Sequence, residues 1–226
     1  MTLLSKILSG ALLLVLAMTG LHYTLRHYTN PAVLGGHSTS VKPVEITIAE
    51  TALRVPQNII RRKTHRTSGR HSSIDLYFEW PTLSGYSVEN ATVFENTASL
   101  DRLIFVSLTE ISPPSPPERR LEGIYRRFFI GKPWRGPDGL TGQSLDPASG
   151  YQSEDVFYAV DGTEIFITRC LQQNQAQKSN VLPTCLFDFQ LEKNVTVNIR
   201  FHRNLLPSWR QINARIKRQI LSLRTP

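Results

Sequence analysis

The sequence predicts an α+β fold: a single N-terminal transmembrane helix, then a mainly antiparallel β-sheet domain with a short middle helix and a C-terminal amphipathic helix. Three observations carry this. Apolar and polar residues alternate through several short segments bounded by turn residues, as half-buried strands require. Near the C terminus, Trp209, Ile212, Ile216, Ile220 and Leu223 recur every three or four positions and make one apolar stripe. At the N terminus, the 19 residues from Leu3 to Leu21 form one largely apolar run. At about 1.5 Å per residue it spans roughly 28 Å, close to the thickness of a bilayer's hydrocarbon core.

Taken in order, Val44, Ile46 and Ile48 alternate with polar neighbours, and Pro56 closes the apolar pattern of Leu53 and Val55. Ile74, Leu76, Phe78 and Trp80 share one face of a second strand that Pro81 ends. Leu103 to Thr109 is apolar on both faces, which predicts an interior strand. Ser112 to Pro117 reads as a stiff extended loop, with Pro117 suited to open a helix over Glu118 to Arg127. Five glycines and three prolines between Gly131 and Gly150 read as a long surface loop. Asp161-Gly162 between two apolar runs is a hairpin signal. The polar tract Gln172 to Asn180 connects to a strand with Cys185, Phe187, Phe189 and Leu191 on one face. Antiparallel pairing there sets Cys185 opposite Cys170. Val195, Val197, Ile199 and Phe201 then alternate with Thr196, Asn198, Arg200 and His202. The closing helix, from about Pro207 to Leu223, is expected to pack its stripe on the sheet rather than to lie on a membrane.

Three regions follow from this pattern: an anchor with a short cytoplasmic tip over 1–28, a flexible linker over 29–42 and an extracytoplasmic α+β domain over 43–226. His22, Tyr23, Arg26, His27 and Tyr28 form an aromatic and basic collar after the apolar run. The linker rests on Asn30-Pro31, Gly35-Gly36 and Ser38-Thr39-Ser40. A cleaved signal peptide is the competing reading, but Ala17 and Thr19 match the small-residue cleavage rule poorly. No cysteine lies near the end of the run, which excludes lipoprotein-type acylation there. Cys170 and Cys185 are the only cysteines, and in an oxidising compartment they would bridge. The expected location is therefore the inner (plasma) membrane, single-pass, with the bulk of the chain facing the periplasm or exterior.

The net charge of +8 is uneven: after Glu192 there is no acidic residue but eight basic ones. A second basic cluster, Arg61, Arg62, Lys63, Arg66 and Arg70, is interleaved with His65 and His71. Such charge favours anionic partners. Outside the cytoplasm these are lipid headgroups or acidic glycans, and no nucleic acid is expected. The chain has no G-x-S-x-G elbow, no phosphate loop, no H-E-x-x-H helix and no dinucleotide fingerprint. The cysteines lack C-x-x-C spacing. Neither a cofactor nor a metal is expected.

The function these features predict is a non-enzymatic binding or assembly module in the cell envelope, with an envelope protein as partner. The recognition surface is expected at Trp134, Arg135 and Asp138 in the Gly/Pro-rich segment, with Arg61, Arg62, Lys63 and Arg66. The rival is an envelope hydrolase acting on glycan or ester bonds, with Glu79 or Glu154 as acid or base and Asp155 or His202 in support. A third reading is a binder of anionic lipid or glycan.

Overall fold

The computed structural model describes residues 36–111, 116–151, 153–162, 164–179 and 181–225, together with 15 and 18–20. It divides the chain into two units, Met1–His37 and Ser38–Pro226. Among the described residues no helix is long and apolar enough to cross a membrane. The anchor expected over 1–28 lies outside the described residues except at 15 and 18–20, as do the first half of the expected linker and residues 112–115.

In the second unit, alternation becomes sheet. β1 (Pro43–Ile48) and β2 (Thr51–Pro56) form an antiparallel hairpin, and β3 (Gly69–Arg70) adds to β1 in parallel. The other strands are β4 (Ser73–Glu79), β5 (Leu103–Glu110), β6 (Phe129–Arg135), β7 (Thr141–Leu145), β8 (Glu154–Asp161), β9 (Glu164–Leu171), β10 (Thr184–Glu192) and β11 (Val195–His202). They form one antiparallel sheet of eight in the order β4-β5-β11-β10-β9-β8-β7-β6. After β5 the chain crosses to the far edge and meanders back until β11 pairs with β5. Among the described residues the unit also holds four α-helices: α1 (Ala91–Glu95), α2 (Pro117–Gly123), α3 (Gln173–Ser179) and α4 (Trp209–Leu221). The α+β fold with an antiparallel sheet is thus observed.

The segment read as a surface loop, Gly131 to Gly150, holds instead most of β6 and all of β7. Pro133 and Gly131 suppress the strand signal, yet β6 is an edge strand, where a missing N–H faces solvent at little cost. All of β6 after Phe129 is exposed, and its ladder slips between Ile130 and Trp134. Trp134 lies flat against Gly142, where an added Cβ would stand 2.3 Å from Trp134 Cε2, so only glycine fits there. The middle helix begins at Pro117 as expected but ends at Gly123, and a short 3₁₀ turn, Tyr125–Phe128, follows.

One face of the large sheet is covered from β4 to β9. Ile74, Leu76 and Phe78 of β4, Ile104, Val106 and Leu108 of β5, and Val195, Val197, Ile199 and Phe201 of β11 point into a single apolar layer. Trp209, Ile212, Ile216 and Ile220 of α4 fill its other side and are 0 % exposed. Trp209 stacks on Phe166 at 4.5 Å. Ile46, Ile48, Leu53 and Val55 of the β1–β2 hairpin close the layer. The chain end is tied in by Arg54 N–H to Leu223 O and Thr225 N–H to Ala52 O, at 2.7 and 3.1 Å. The C-terminal helix packs on the sheet, as its stripe predicted.

The opposite face is covered only at its two ends. Over β4 and β5, Tyr77 and Leu103 pack against Tyr86, Val93 and Phe94. Over β7 to β9, Leu145, Val156 and Ile167 pack against Leu121 and Tyr125. Between these caps the sheet is open.

Candidate functional site

The open stretch is a groove of about 660 Å³ running from β4 across β5, β11 and β10 to the end of β9. Its floor follows from the strand register. Phe105 lies opposite Arg200, and Arg200 opposite Leu186; in the next row Ser107 lies opposite Asn198. Strand residues directly opposite one another share a face. Every second residue of β11 is buried in the core layer, so Arg200 and Asn198 must point the other way. Among the described residues Arg200 is left exposed and Asn198 half-buried.

One wall is built by the segment that caps the β4 edge. Ile60 is 0 % exposed and bridges to Leu76, and Arg61 N–H donates to Asp75 O at 2.8 Å. Once Ile60 is anchored, its neighbours project over the groove. The Arg61 guanidinium rests over the Phe105 ring at 5.1 Å, and Arg62 pairs with the Asp75 carboxylate. Arg66 serves the wall rather than the groove: its Nε and Nη2 donate to Ile60 O at 3.0 and 2.8 Å. His65 Nδ1 accepts from Asp75 N–H at 3.2 Å. Burial lowers the His65 pKa, against the pull of Asp75. Burial likewise pushes the Tyr77 hydroxyl, next along the strand, up to about 12, so it stays neutral. Lys63 is exposed in a 3₁₀ turn on this wall.

The other wall follows α3. Ala176, buried, and Val181 N–H donating to Ala176 O at 3.0 Å hold the turn, and Arg203 N–H donates to Pro183 O at 2.7 Å. This leaves Val181 and Leu182 at the groove's rim, 50 % and 44 % exposed. Among the described residues, no hydrogen-bond or ion-pair partner reaches the Arg200 side chain, and no carboxylate pairs with Arg61.

The second cluster of expected contact residues is elsewhere. Trp134 and Arg135 lie on β6, at the opposite edge of the sheet from β4. Seven strand spacings of ~4.8 Å make roughly 34 Å along the sheet from one edge to the other. Trp134 is 38 % exposed and meets Phe157 edge-on at 6.0 Å. Asp138 is tied to α4: its carbonyl accepts from Trp209 Nε1 at 3.1 Å, and its carboxylate pairs with Arg210 at 2.6 Å. Arg61 and Arg62 therefore meet at one groove, while Trp134, Arg135 and Asp138 belong to another surface. Arg200, Phe105, Val181 and Leu182 were not singled out from the sequence. For Arg200 the signals in the sequence are its polar place in an alternating strand and its membership of the basic run after Glu192.

The residues proposed for hydrolysis are each engaged locally. Glu79, 8 % exposed, pairs with Arg102 and accepts from Asn90 Nδ2 at 3.0 Å and Ser84 Oγ at 3.3 Å. Glu154 pairs with Arg169 at 2.7 Å. Asp155 accepts from Arg203, Gln172 and Ser144 at 2.8 to 3.0 Å. β4 and β8 stand five strands apart, roughly 24 Å along the sheet, so Glu79 and Glu154 do not face each other. His202 is buried rather than exposed, and its Nδ1 accepts from Asn204 N–H at 3.2 Å. Among the described residues no group of acidic, histidine or cysteine side chains could hold a metal ion.

The disulfide is formed: Cys170 of β9 is bonded to Cys185 of β10. It sits at one of only two register pairs that join these strands, the other being Leu186 with Arg169. Two four-stranded halves of the sheet are joined there.

No protein-family profile and no curated protein matches this sequence. Its fold is similar to two solved structures. One is an immunity protein of the type IV secretion system of Stenotrophomonas maltophilia, with TM-score 0.56 and 15 % identity over 84 % of this chain and 96 % of that one. The other is FrpD, the iron-regulated outer membrane lipoprotein of Neisseria meningitidis, with TM-score 0.51 and 13 % identity over 83 % and 95 %. At such identities the likeness is one of fold.

Proposed function

We propose that the 38–226 unit is a non-enzymatic binding module of the cell envelope, working on the periplasmic or outer side of a membrane and taking a protein as its partner. The observation that carries this reading is Arg200: an exposed cation on the interior strand β11, with no hydrogen-bond or ion-pair partner among the described residues, on an open stretch of sheet. An antiparallel sheet can leave one face to solvent, but this stretch also presents Phe105, Leu186, Val181 and Leu182 beside the cation. Here two end caps leave room for something that is not part of the described chain. The Cys170–Cys185 bond supports an oxidising compartment. The two similar folds, an immunity protein of a secretion system and an outer membrane lipoprotein, support an envelope setting. Attachment through the N-terminal apolar run is the accompanying proposal.

Site-directed photocrosslinking in native membranes tests the reading. A photoreactive residue at Leu182, on the groove rim, should give a discrete protein adduct. The same residue at Val160, 70 % exposed at the far end of β8, should not. Adducts of equal yield from both positions, or none from Leu182, would remove the protein partner. Lipid or glycan recovered from Leu182 alone would turn the reading toward an anionic ligand.

A further inference from the structure

Resting on the reading above, we infer that the groove takes an acidic, extended segment of the partner, laid across the strands with apolar residues between its carboxylates. Its length follows from the sheet. From β4 to β9 the groove crosses four strand spacings of ~4.8 Å, about 19 Å, which about six extended residues cover at ~3.3 Å each.

The chemistry follows from what the groove leaves unsatisfied. Arg62 already has Asp75, so it offers little. Arg61 and Arg200 have no carboxylate partner among the described residues; the Arg61 guanidinium rests over the Phe105 ring, and Arg200 is the residue opposite Phe105 in the ladder. Stacking on Phe105 fixes the Arg61 fork before any ligand arrives, which lowers the ordering cost of a bidentate carboxylate contact. Farther along, Leu186, Val181 and Leu182 offer apolar surface, two of them openly exposed. A purely anionic ligand would satisfy the arginines and leave the leucine side empty. A purely apolar helix would cover two unpaired cations and Asn198 without answering them. An extended segment with both kinds of side chain answers both.

The test uses the full-length chain in detergent, fluorescently labelled, on an array of hexapeptides that permute glutamate, leucine, serine and lysine. Peptides with two glutamates among leucines should be retained, with binding that weakens as salt rises. Arg200→Glu and Arg61→Glu should each weaken retention by about tenfold or more, the scale of a lost charge-assisted contact. Arg200→Gln should weaken it in the same direction. Arg135→Glu, the same charge change at the opposite sheet edge, should leave it unaltered. Equal loss in Arg135→Glu, or peptide selection indifferent to glutamate, overturns the inference. So does phosphatidylglycerol vesicle binding with the same Arg200 dependence when the acidic peptides fail. A protein adduct at Leu182 together with peptide binding indifferent to Arg200 would leave the binding module standing and remove only this inference.

Discussion

The two faces of the eight-stranded sheet are made by the same strands and treated oppositely. On one, α4 and the β1–β2 hairpin cover every strand from β4 to β9, and the contributing side chains are almost all buried. On the other, two separate caps cover the ends and leave Phe105, Leu186 and Arg200 only partly shielded or exposed. Alternation along one strand thus carries two jobs. On β11, Val197, Ile199 and Phe201 are buried in the core layer, while Asn198, half-buried, and Arg200, exposed, lie one position away on the open face. On the proposed reading, stability and recognition are separated by a single residue step.

The sharpest way to break this comparison is to cut into the covered face. Trp209→Ala removes the stack on Phe166 and the bond from Nε1 to Asp138 O. A fully buried tryptophan lost to alanine should cost about 3–5 kcal/mol, read as a lowered midpoint in urea unfolding. Deleting 207–226 should go further and abolish the cooperative transition, because α4 is one whole side of the core layer. A truncated domain that melts at an unchanged temperature would show that the covered face is not what stabilises the sheet.

Next in size is the disulfide. Replacing Cys170 and Cys185 together by serine frees a loop of sequence separation 15 and should cost about 3 kcal/mol by the chain-entropy account. The structure adds where the loss should show. β9 and β10 pair only beside that bond, so hydrogen exchange should rise along 164–171 and 184–192 before it rises along β4 and β5. Uniform loss of protection would mean the two half-sheets do not separate there.

These two regions also show what was legible in the sequence. The alternating strands could be read because one face is buried, which imposes period two. The hairpin at Asp161-Gly162 and the opposition of Cys170 and Cys185 followed from turn chemistry and register. β6 could not be read: it is exposed on both faces, so burial writes no pattern on it, and Gly131 and Pro133 argue against a strand. Nor could the pairing of β5 with β11 be read, since the two are joined through the whole meander. The groove depends on that pairing, because it brings Arg200 beside Phe105. Arg61 and Arg62 were visible as a charge cluster. Val181 and Leu182, two apolar residues ahead of Pro183, carried no signal by themselves.

A smaller effect sharpens the comparison through pH. His65 and His202 both accept a backbone N–H at Nδ1, and burial lowers both pKa values below 6.5, against opposing pulls from Asp75 and Asp101 respectively. Between the folded-state pKa and 6.5 the unfolded chain binds more protons, so this stability is present at higher pH and is lost as pH falls through that window. Urea midpoints should decline as pH drops below about 6.5, and His202→Gln should flatten the decline. A midpoint unchanged down to pH 5 would mean neither imidazole is held neutral by the fold.

The smallest stability effect is expected on the open face, and it is the one that defines the comparison. Arg200→Glu removes no hydrogen bond or ion pair among the described residues, so stability should move by no more than about 0.5 kcal/mol. Arg61→Ala loses its contact with the Phe105 ring, worth about 0.5–1 kcal/mol at an exposed site. Both are read in the same urea titrations as Trp209→Ala, with the unfolding slope held to the wild-type value. If Arg200→Glu instead cost 2 kcal/mol, Arg200 would have a structural partner and the open face would be part of the framework. If it costs nothing, Arg200 stands on an interior strand without serving the fold, as the proposed binding role requires.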